Sequence, residues 1–452
     1  MSDSSSPNRF QACWEQAVLL LEAASRQHHV VALRDGMIAS VPIILVGSTF
    51  LLLGAQGPVL KSYFNGEVAW LPNLLQTAFG RWYLDHTAQI LFPYRLTMGL
   101  LALYIAFTIA SALAAQYRLA PVPQGLGAVA ALLVTGAPVL IKLQETDPGP
   151  QWVVALKPLG PEGIFLAIVL GVGMVELSRL ILRPDRPKAE GPPEATAIPP
   201  SVLDAFRSFL PILTMVTAVW FLRHVVGFDL HAGILEVMQP LTRLGDSLGA
   251  VLASNFFLHL FAVAGVHGIS VINAVMLPLW QQFVAANAEA HAAGLPLPHT
   301  TAYPFYQWFI WIGGAGATLP PTLMLIMSRH GHLRRIGRIS LVPALFNVNE
   351  PFLFGLPVVA NPLLAIPCVL APLACGTVAW FGVSWGWVTA PFIEVPWVMP
   401  CFLGALLSTQ DLRALLLLAF NFGVSAAIWW PFLKAYERRL SRSGDSSSAP
   451  GS

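Results

Sequence analysis

Charged residues are scarce in this sequence of 452 amino acids. Asp, Glu, Lys and Arg together make up 11% of it, whereas a typical water-soluble domain carries about 25%. Hydrophobic residues make up 56%. This balance excludes a large soluble protein, because so few polar side chains cannot cover its surface. The formal net charge of +2 gives no support to nucleic-acid binding.

The common catalytic motifs are also missing. The sequence contains no phosphate-binding loop, no nucleophile elbow and no zinc-ligand spacing, so we expect neither a cofactor nor a metal. Its four cysteines show no C-x-x-C spacing. Three of them, Cys368, Cys375 and Cys401, lie among apolar residues. We therefore expect small buried hydrophobic side chains there, and not disulfides, metal ligands or a phosphoryl-carrying thiolate.

Long apolar segments dominate the chain instead. A bilayer core of about 30 Å is crossed by about 20 apolar residues in a helix. The segments that fit this requirement are 37–53, 96–115, 126–141, 163–182, 210–226, 251–279, 305–327, 363–381 and 412–433. They predict an all-α polytopic membrane protein. Between 207 and 329 the number of crossings stays open, because either 229–246 contributes or 251–279 is broken near Gly265 and Gly268.

Two further segments, 340–360 and 390–408, are apolar but rich in proline. Non-helical backbone at membrane depth persists only where it is buried in protein or lines a wet cavity. We therefore predict that both segments are re-entrant hairpins. The glycines at 313–316 lie in an apolar run, and we expect close helix packing there.

Basic side chains cluster at 179–188, 329–338 and 434–442. Connections rich in Lys and Arg stay cytoplasmic, so we expect these clusters and both termini on the cytoplasmic side of a bacterial inner membrane. The predicted organisation is a cytoplasmic N-terminus with an amphipathic helix (1–36), a first membrane half (37–182), a cytoplasmic linker (183–206), a second membrane half with the substrate site (207–433) and a disordered tail (434–452).

Glu350 is the only ionisable side chain between Arg338 and Glu394. A carboxylate at membrane depth is costly and indicates a functional site by default. Asn347 and Asn349 add amide donors and acceptors beside it. We predict that this segment is a hairpin tip that presents hydrogen-bonding groups to a polyhydroxylated ligand. The alternative is an ordinary solvated glutamate in an exposed loop.

His267 is the second candidate site residue. Gly265 and Gly268 flank it and permit close approach of a backbone or a ligand. Asn273 follows six residues later, and His259 precedes it on a partly overlapping helical face. The alternative is a histidine that only binds a backbone carbonyl. Glu394 is interpreted as an isolated polar group near water.

Residues 349–357 read N-E-P-F-L-F-G-L-P. This segment resembles the N-x-N-E-P-x-x-F-G-L-P signature of the phosphotransferase-system EIIC sugar permeases, in the lactose, cellobiose and diacetylchitobiose branch. Further similar segments follow in order along nearly the whole chain: L-R-D-G-M at 33–37, G-P-E-G-I-F at 160–165, G-V-H-G at 265–268 and W-I-G-G-A-G-A-T-L at 311–319.

The resemblance implies a homodimer with about ten transmembrane helices and two re-entrant hairpins per subunit, surrounded by membrane lipid. It implies that Glu350 and His267 contact the sugar near the hydroxyl to be phosphorylated. In this family a soluble EIIB protein carries phosphate on a cysteine and transfers it to that hydroxyl from the cytoplasmic side. We expect EIIB and EIIA to be separate proteins here.

Our main prediction is uptake of a sugar coupled to its phosphorylation, with a β-linked disaccharide such as cellobiose or diacetylchitobiose as substrate. Glu350 would accept hydrogen bonds from sugar hydroxyls and assist deprotonation of the reacting one. His267 would orient that hydroxyl, and Trp397 would stack on a sugar ring. The remaining predicted substrate-binding residues are Asn347, Asn349 and Asn273.

The sequence departs from the family pattern in two places. The family's V-P-W-T-T-P reads V-P-W-V-M-P at 395–400, and Ala262 stands where the family often has a tryptophan. A different sugar is therefore an alternative. So are a non-transporting membrane sensor or anchor that binds a sugar, and a proton-coupled transporter with Glu350 as the proton carrier.

Overall fold

The structure is a computed structural model that describes residues 27–54, 78–136, 139–141, 149, 151–182, 199–264, 268–358 and 361–446. Helices dominate the described chain, as the sequence predicts. The residues form two compact units, one made of 27–242 and the other of the described residues from 243 onward. The proposed linker at 183–206 falls within the range of the first unit, and its residues 183–198 lie outside the described ones.

The first unit is built from seven helices and most of an eighth. They are α1 (His28–Gly54), α2 (Ala78–Ile90), α3 (Phe92–Thr97), α4 (Leu101–Gln116), α5 (Pro121–Thr135), α6 (Ile164–Leu182), α7 (Pro200–Trp220) and α8 (Leu230–Gly245). Short 3-10 turns lie at Met98–Leu100, Lys157–Leu159 and Pro161–Gly163, and a π turn extends α7 over Phe221–Val225. Strands β1 (Val139–Ile141) and β2 (Gln151–Val153) form a small antiparallel ladder.

Helix α4 is the centre of the first unit, where α1, α5 and α6 pack against it. Its residues Ile105 and Ile109 are completely buried. A Cβ on Gly36 of α1 would lie 2.6 Å from the side chain of Ile109, so only glycine permits this approach. Gln124 of α5 satisfies its amide by accepting from Ser178 of α6 at 2.5 Å and donating to Ser208 of α7 at 3.4 Å.

The second unit contains α9 (Leu248–Val263), α10 (Gly268–Ala292), α11 (Tyr303–Phe305), the π turn Tyr306–Ile310, α12 (Leu319–Ile326), α13 (Gly331–Leu345), α14 (Glu350–Gly355), α15 (Pro362–Ser384), α16 (Cys401–Thr409) and α17 (Arg413–Ser446). Helix α15 packs against α9 and α17, and α12 packs against α13 and α17. Buried Phe352 and Trp429 meet edge to face in this core, with ring centroids 5.5 Å apart.

The described helices support the membrane assignment. Six spans are long and apolar enough to cross a bilayer: His28–Gly54, Asp85–Gln116, Pro161–Leu182, Val202–Val225, Leu363–Ser384 and Arg413–Ser441. A seventh results if α8 and α9 together form one bent span. The described residues thus confirm a polytopic helical protein, and they do not confirm a count of ten spans. Large apolar side chains of these spans such as Leu180 and Leu416 point outward, each 73% exposed, as lipid contact requires.

Two predicted spans are wrong. In 126–141, helix α5 ends at Thr135 and 139–141 is strand β1. Gly136 and Pro138 both disfavour helix in that sequence, which explains the early end. In 305–327 the helix is interrupted between Ile310 and Leu319 by a loop whose glycines adopt positive φ.

Other expectations fare better. Segment 251–279 is divided between α9 and α10, and 229–246 is occupied by helix α8, so features of both alternatives are present and the number of crossings stays open. Cys368, Cys375 and Cys401 are free and buried, as expected. Segment 340–360 contains the end of α13, a break and α14, whereas 390–408 is a non-helical loop followed by α16; the re-entrance of both into the membrane stays a prediction. The amphipathic helix proposed before α1 lies mostly outside the described residues.

Candidate functional site

A buried loop of glycines joins the π turn Tyr306–Ile310 to α12. We call residues 311–318 the glycine loop. Gly313, Gly314 and Gly316 have φ of +80°, +104° and +93°, a region that glycine adopts at least cost. A Cβ on Gly314 would lie 2.7 Å from Cγ of Asn349, so the amide packs directly on the backbone. The expectation of close helix packing at 313–316 is therefore wrong.

Helix α9 supports the glycine loop through a buried histidine. Nε2 of His259 accepts a hydrogen bond from the amide of Gly316 at 2.8 Å. Nδ1 of the same ring lies 2.6 Å from the carbonyl oxygen of Asn255, so Nδ1 carries the proton in this neutral tautomer. The side-chain oxygen of Asn255 accepts from the indole of Trp311 at 2.9 Å. Both nitrogens of His259 thus hold the fold.

Side chains of helix α17 also donate hydrogen bonds to the glycine loop. The indole of Trp429 donates to the carbonyl of Gly316 at 3.0 Å. The hydroxyl of Ser425 donates to the carbonyl of Ala317 at 2.8 Å. With these bonds the irregular backbone of the glycine loop is satisfied by side chains from both neighbouring helices, as buried irregular backbone requires.

Asn347 connects the glycine loop to a second loop. Its Nδ2 donates to the carbonyls of Trp397 and Met399, both at 3.0 Å, and its Oδ1 accepts from the amide of Gly313 at 3.2 Å. Its φ of +61° is left-handed, which asparagine tolerates better than most residues. Asn349 is also buried and donates to the carbonyl of Ala315. Both N–H groups of Asn347 and one N–H group of Asn349 are therefore engaged with the backbone.

Glu350 begins α14 directly after these two amides. Its side chain is exposed, and within the described part of the chain it makes no hydrogen bond or ion pair. The backbone of Glu350 is held by its neighbours in the chain, because Asn349 is hydrogen-bonded to the glycine loop and Phe352 is completely buried. The carboxylate is thus accessible on a rigid support, which suits a ligand-binding group better than a loosely held loop does.

The second loop comprises residues 391–400 and is here called the tryptophan loop. Asn287 of α10 donates to the carbonyl of Pro391 at 3.0 Å. The amides of Phe392 and Ile393 both donate to the carbonyl of Ser408, at 2.9 and 3.2 Å. Trp397 itself is half exposed. Its ring is therefore available for stacking while the backbone that carries it is held by hydrogen bonds.

The structure brings together four of the predicted site residues. Asn347 ties the segment of Asn349 and Glu350 to the loop of Trp397 through its own hydrogen bonds. Asn273, on α10, is buried, and its Oδ1 has no partner among the described residues. No hydrogen bond described here joins Asn273 to the other four residues. His267 lies outside the described residues.

Sequence reasoning missed the burial of Glu394. The interpretation as a polar group near water is wrong, because only 6% of this residue is exposed. Its Oε1 accepts a hydrogen bond from Nε2 of Gln281, on α10, at 3.3 Å. The available signal was weak: Glu394 is the first ionisable residue after a long uncharged stretch, and its partner lies 113 positions away.

The geometry defines a class of protein, a multi-pass helical membrane protein with a polar site on interrupted helices. A family model described as "Phosphotransferase system, EIIC" matches residues 34–372. The chain therefore belongs to the EIIC permease family of the bacterial phosphotransferase system. Members of this family are multi-pass proteins of the bacterial inner membrane, and EIIC components act together with EIIB and EIIA proteins.

Individual relatives agree with this assignment. The chain is 31% identical to the putative permease IIC component YwbA of Bacillus subtilis (strain 168), over 91% of this chain and 92% of the relative. It is 30% identical to the cellobiose-specific EIIC component of Geobacillus stearothermophilus, over 92% and 91%. The crystal structure of ChbC, the IIC component of the N,N'-diacetylchitobiose-specific system, superposes with a TM-score of 0.80 at 26% identity, covering 94% of this chain and 98% of that one.

Proposed function

We propose that this protein translocates a β-linked disaccharide, such as cellobiose or diacetylchitobiose, for phosphorylation by a separate EIIB protein. The observation that carries the proposal is the link made by Asn347. Its amide holds the carbonyls of Trp397 and Met399 and thereby ties the Trp397 loop to the Glu350 segment. A carboxylate and an aromatic ring supported in this way match the two needs of sugar recognition, hydroxyl acceptance and ring stacking.

Each residue has a proposed role. Glu350 accepts hydrogen bonds from sugar hydroxyls and assists removal of the proton from the reacting hydroxyl. His267 orients that hydroxyl, Trp397 stacks on a ring, and Asn273 offers its unpartnered Oδ1. In the transfer step the S–P bond to the EIIB cysteine breaks, and an O–P bond to the sugar forms as the hydroxyl loses its proton.

Asn347 and Asn349 are proposed as positioning residues that also border the sugar. Both N–H groups of Asn347 already bind backbone carbonyls, so a sugar hydroxyl can reach only the remaining acceptor capacity of its oxygen. Asn349 uses one of its two N–H groups on the carbonyl of Ala315 and keeps the other for a ligand. Their main contribution is then to hold Glu350 and Trp397 in place before the sugar arrives. Preorganisation of this kind lowers the entropy cost of binding.

The family membership supports three further features as proposals: a homodimer, ten spans with two hairpins, and cytoplasmic termini. The basic segments 183–200 and 329–338 test the orientation. Single cysteines placed in either loop of a variant without native cysteines should react with an impermeant maleimide only in inside-out vesicles. Labelling of either loop in intact cells would contradict the orientation.

Titration with cellobiose and diacetylchitobiose tests the site. Glu350→Gln keeps the shape and removes the charge, and a charge-assisted hydrogen bond contributes about 1.5–3 kcal/mol. Since 1.4 kcal/mol is tenfold in affinity, we expect binding about one to two orders of magnitude weaker. Glu289→Gln is the matched control, because Glu289 is an exposed glutamate of α10. Equal affinities for wild type and Glu350→Gln would exclude Glu350 from the site.

Two other functions are distinguished by uptake. The apolar Val398 and Met399, at positions where the family carries hydroxyls, favour a sensor that binds sugar without transport. Such a protein would show affinity in titration and no vesicle uptake with EIIB. A proton-coupled transporter would instead accumulate unmodified sugar in response to a pH gradient.

A further inference from the structure

Glu394 is a buried carboxyl group with a partner for only one of its oxygens. Oε1 accepts from Gln281 at 3.3 Å, whereas Oε2 has no partner within the described chain. No Lys, Arg or His of the described residues forms an ion pair with it. An ionised carboxylate that is dry and lacks a cation is strongly disfavoured relative to the same group in water.

Gln281 also has a buried oxygen, Oε1, that lacks a hydrogen-bond partner among the described residues. The two unpartnered oxygens therefore belong to two side chains that one hydrogen bond already joins, and both are acceptors. A proton on Oε2 of Glu394 converts one of them into a donor. A carboxylic acid and a primary amide can then exchange two hydrogen bonds, N–H to O and O–H to O.

We propose that Glu394 is a proton-binding site and that its bound proton, shared with Gln281, fixes the tryptophan loop to α10. The ligand is a proton because a single proton satisfies both orphaned atoms. The complete burial of Oε2 leaves no room for a solvated cation. This inference does not rest on sugar transport.

The groups around Glu394 do not offer a competing charge. On α10, His291 stacks on Phe392 with ring centroids 3.8 Å apart, and it forms no ion pair with Glu394 in the described part of the chain. On α11, Tyr303 lies within electrostatic range of Glu394 and carries a neutral phenol. The proton is therefore the available means of neutralising Glu394.

Loss of the proton should release the loop. An ionised Glu394 needs water, which it can obtain only if the chain around it moves. The hydrogen bonds nearest to it along the chain run from Phe392 and Ile393 to the carbonyl of Ser408. We expect these bonds to open when Glu394 ionises, so that the tryptophan loop becomes more mobile as the pH rises.

Infrared spectroscopy of the purified protein tests for the proton directly. At neutral pH the difference spectrum between wild type and Glu394→Gln should contain the C=O stretch of a protonated carboxyl group, shifted in heavy water. The control Glu289→Gln, an exposed glutamate of the same helix, should lack that band and show a carboxylate difference. A carboxylate difference for Glu394→Gln at neutral pH would overturn the proposal.

Hydrogen exchange tests the consequence. The amides of Phe392 and Ile393 are compared between wild type and Glu394→Gln at the same pH, so that the intrinsic pH dependence cancels. At about pH 5, above the ordinary glutamate pKa of about 4.3, the rates should agree. At about pH 9 the wild type should exchange about tenfold faster or more. A Glu394→Gln variant that exchanges faster than wild type at both pH values would indicate a purely structural carboxylate and refute the proposal.

If Glu394→Gln fails to fold, the wild type alone still decides. Its protonated-carboxyl band should disappear as the pH rises to about 9, and protection of the two amides should fall over the same interval. A carboxyl band that is absent throughout, or protection that does not change with the band, would contradict the proposal.

Discussion

Asn347→Asp is the sharpest perturbation of the site. The two side chains have nearly the same shape, and aspartate also tolerates the left-handed φ of +61°. The oxygen that accepts from Gly313 is kept. The two donations to the carbonyls of Trp397 and Met399 are lost, and an acceptor faces them at 3.0 Å.

The magnitude follows from the burial of these bonds. Both are only partly buried, so each lost bond is taken at about 0.5–1.5 kcal/mol, the range for a typical hydrogen bond. The two lost bonds together should lower the free energy of unfolding by about 1–3 kcal/mol, and the thermal denaturation midpoint in detergent should fall accordingly. Affinity for cellobiose should fall by about tenfold or more, because the backbone of Trp397 is no longer tied to the segment that carries Glu350.

The pH dependence of the variant has a definite sign. Protonation of the new aspartate restores one donor, so the lost stability should return in part as the pH falls. Asn361→Asp is the control, because within the described residues Asn361 uses only its oxygen, which accepts from the amide of Leu363, and aspartate keeps that bond. An Asn347→Asp variant as stable as wild type at neutral pH would refute the positioning role.

Further substitutions test other parts of the site. Gly314→Ala should lower the denaturation midpoint, because φ is +104° and the new Cβ would clash with an amide, whereas Gly331→Ala, with no atom within 4 Å of its Cβ, should not. His259→Leu should lower the free energy of unfolding in chemical denaturation by about 1–3 kcal/mol, because the amide of Gly316 loses its acceptor. An unchanged denaturation midpoint would contradict the assigned tautomer and the contact with Gly316. Trp397→Ala should leave the midpoint nearly unchanged, since the ring is half exposed, but should weaken sugar binding in titration; unchanged affinity would remove stacking from the account.

Hydropathy predicts the long helices because their composition requires a bilayer. Helices α6 and α15 correspond closely to the predicted spans 163–182 and 363–381. The break before Gly268 is also readable, since glycines interrupt an otherwise apolar run. The interruption at 311–318 cannot be read from hydropathy, because its residues are as apolar as those of a membrane span. What decides there is side-chain hydrogen bonding from α9 and α17, and these partners lie far away in the sequence.

The candidate site was predictable to a similar degree. Glu350 could be selected because a lone carboxylate in an apolar stretch is costly. The hydrogen bonds that Asn347 donates could not be predicted, because their acceptors are carbonyls about 50 residues further along the chain. The burial of Glu394 follows from packing against α10, on which hydropathy carries no information.

Uptake into right-side-out vesicles, whose lumen is the cytoplasmic side, tests the central claim most directly. Vesicles containing this protein are supplied with labelled cellobiose or diacetylchitobiose and with phosphorylated EIIB on the cytoplasmic side. We predict accumulation of the phosphorylated sugar, dependent on EIIB and strongly reduced by Glu350→Gln but not by Glu289→Gln. Folded protein that accumulates no sugar from a broad panel of mono- and disaccharides, with EIIB active on a known EIIC, would contradict the proposed function.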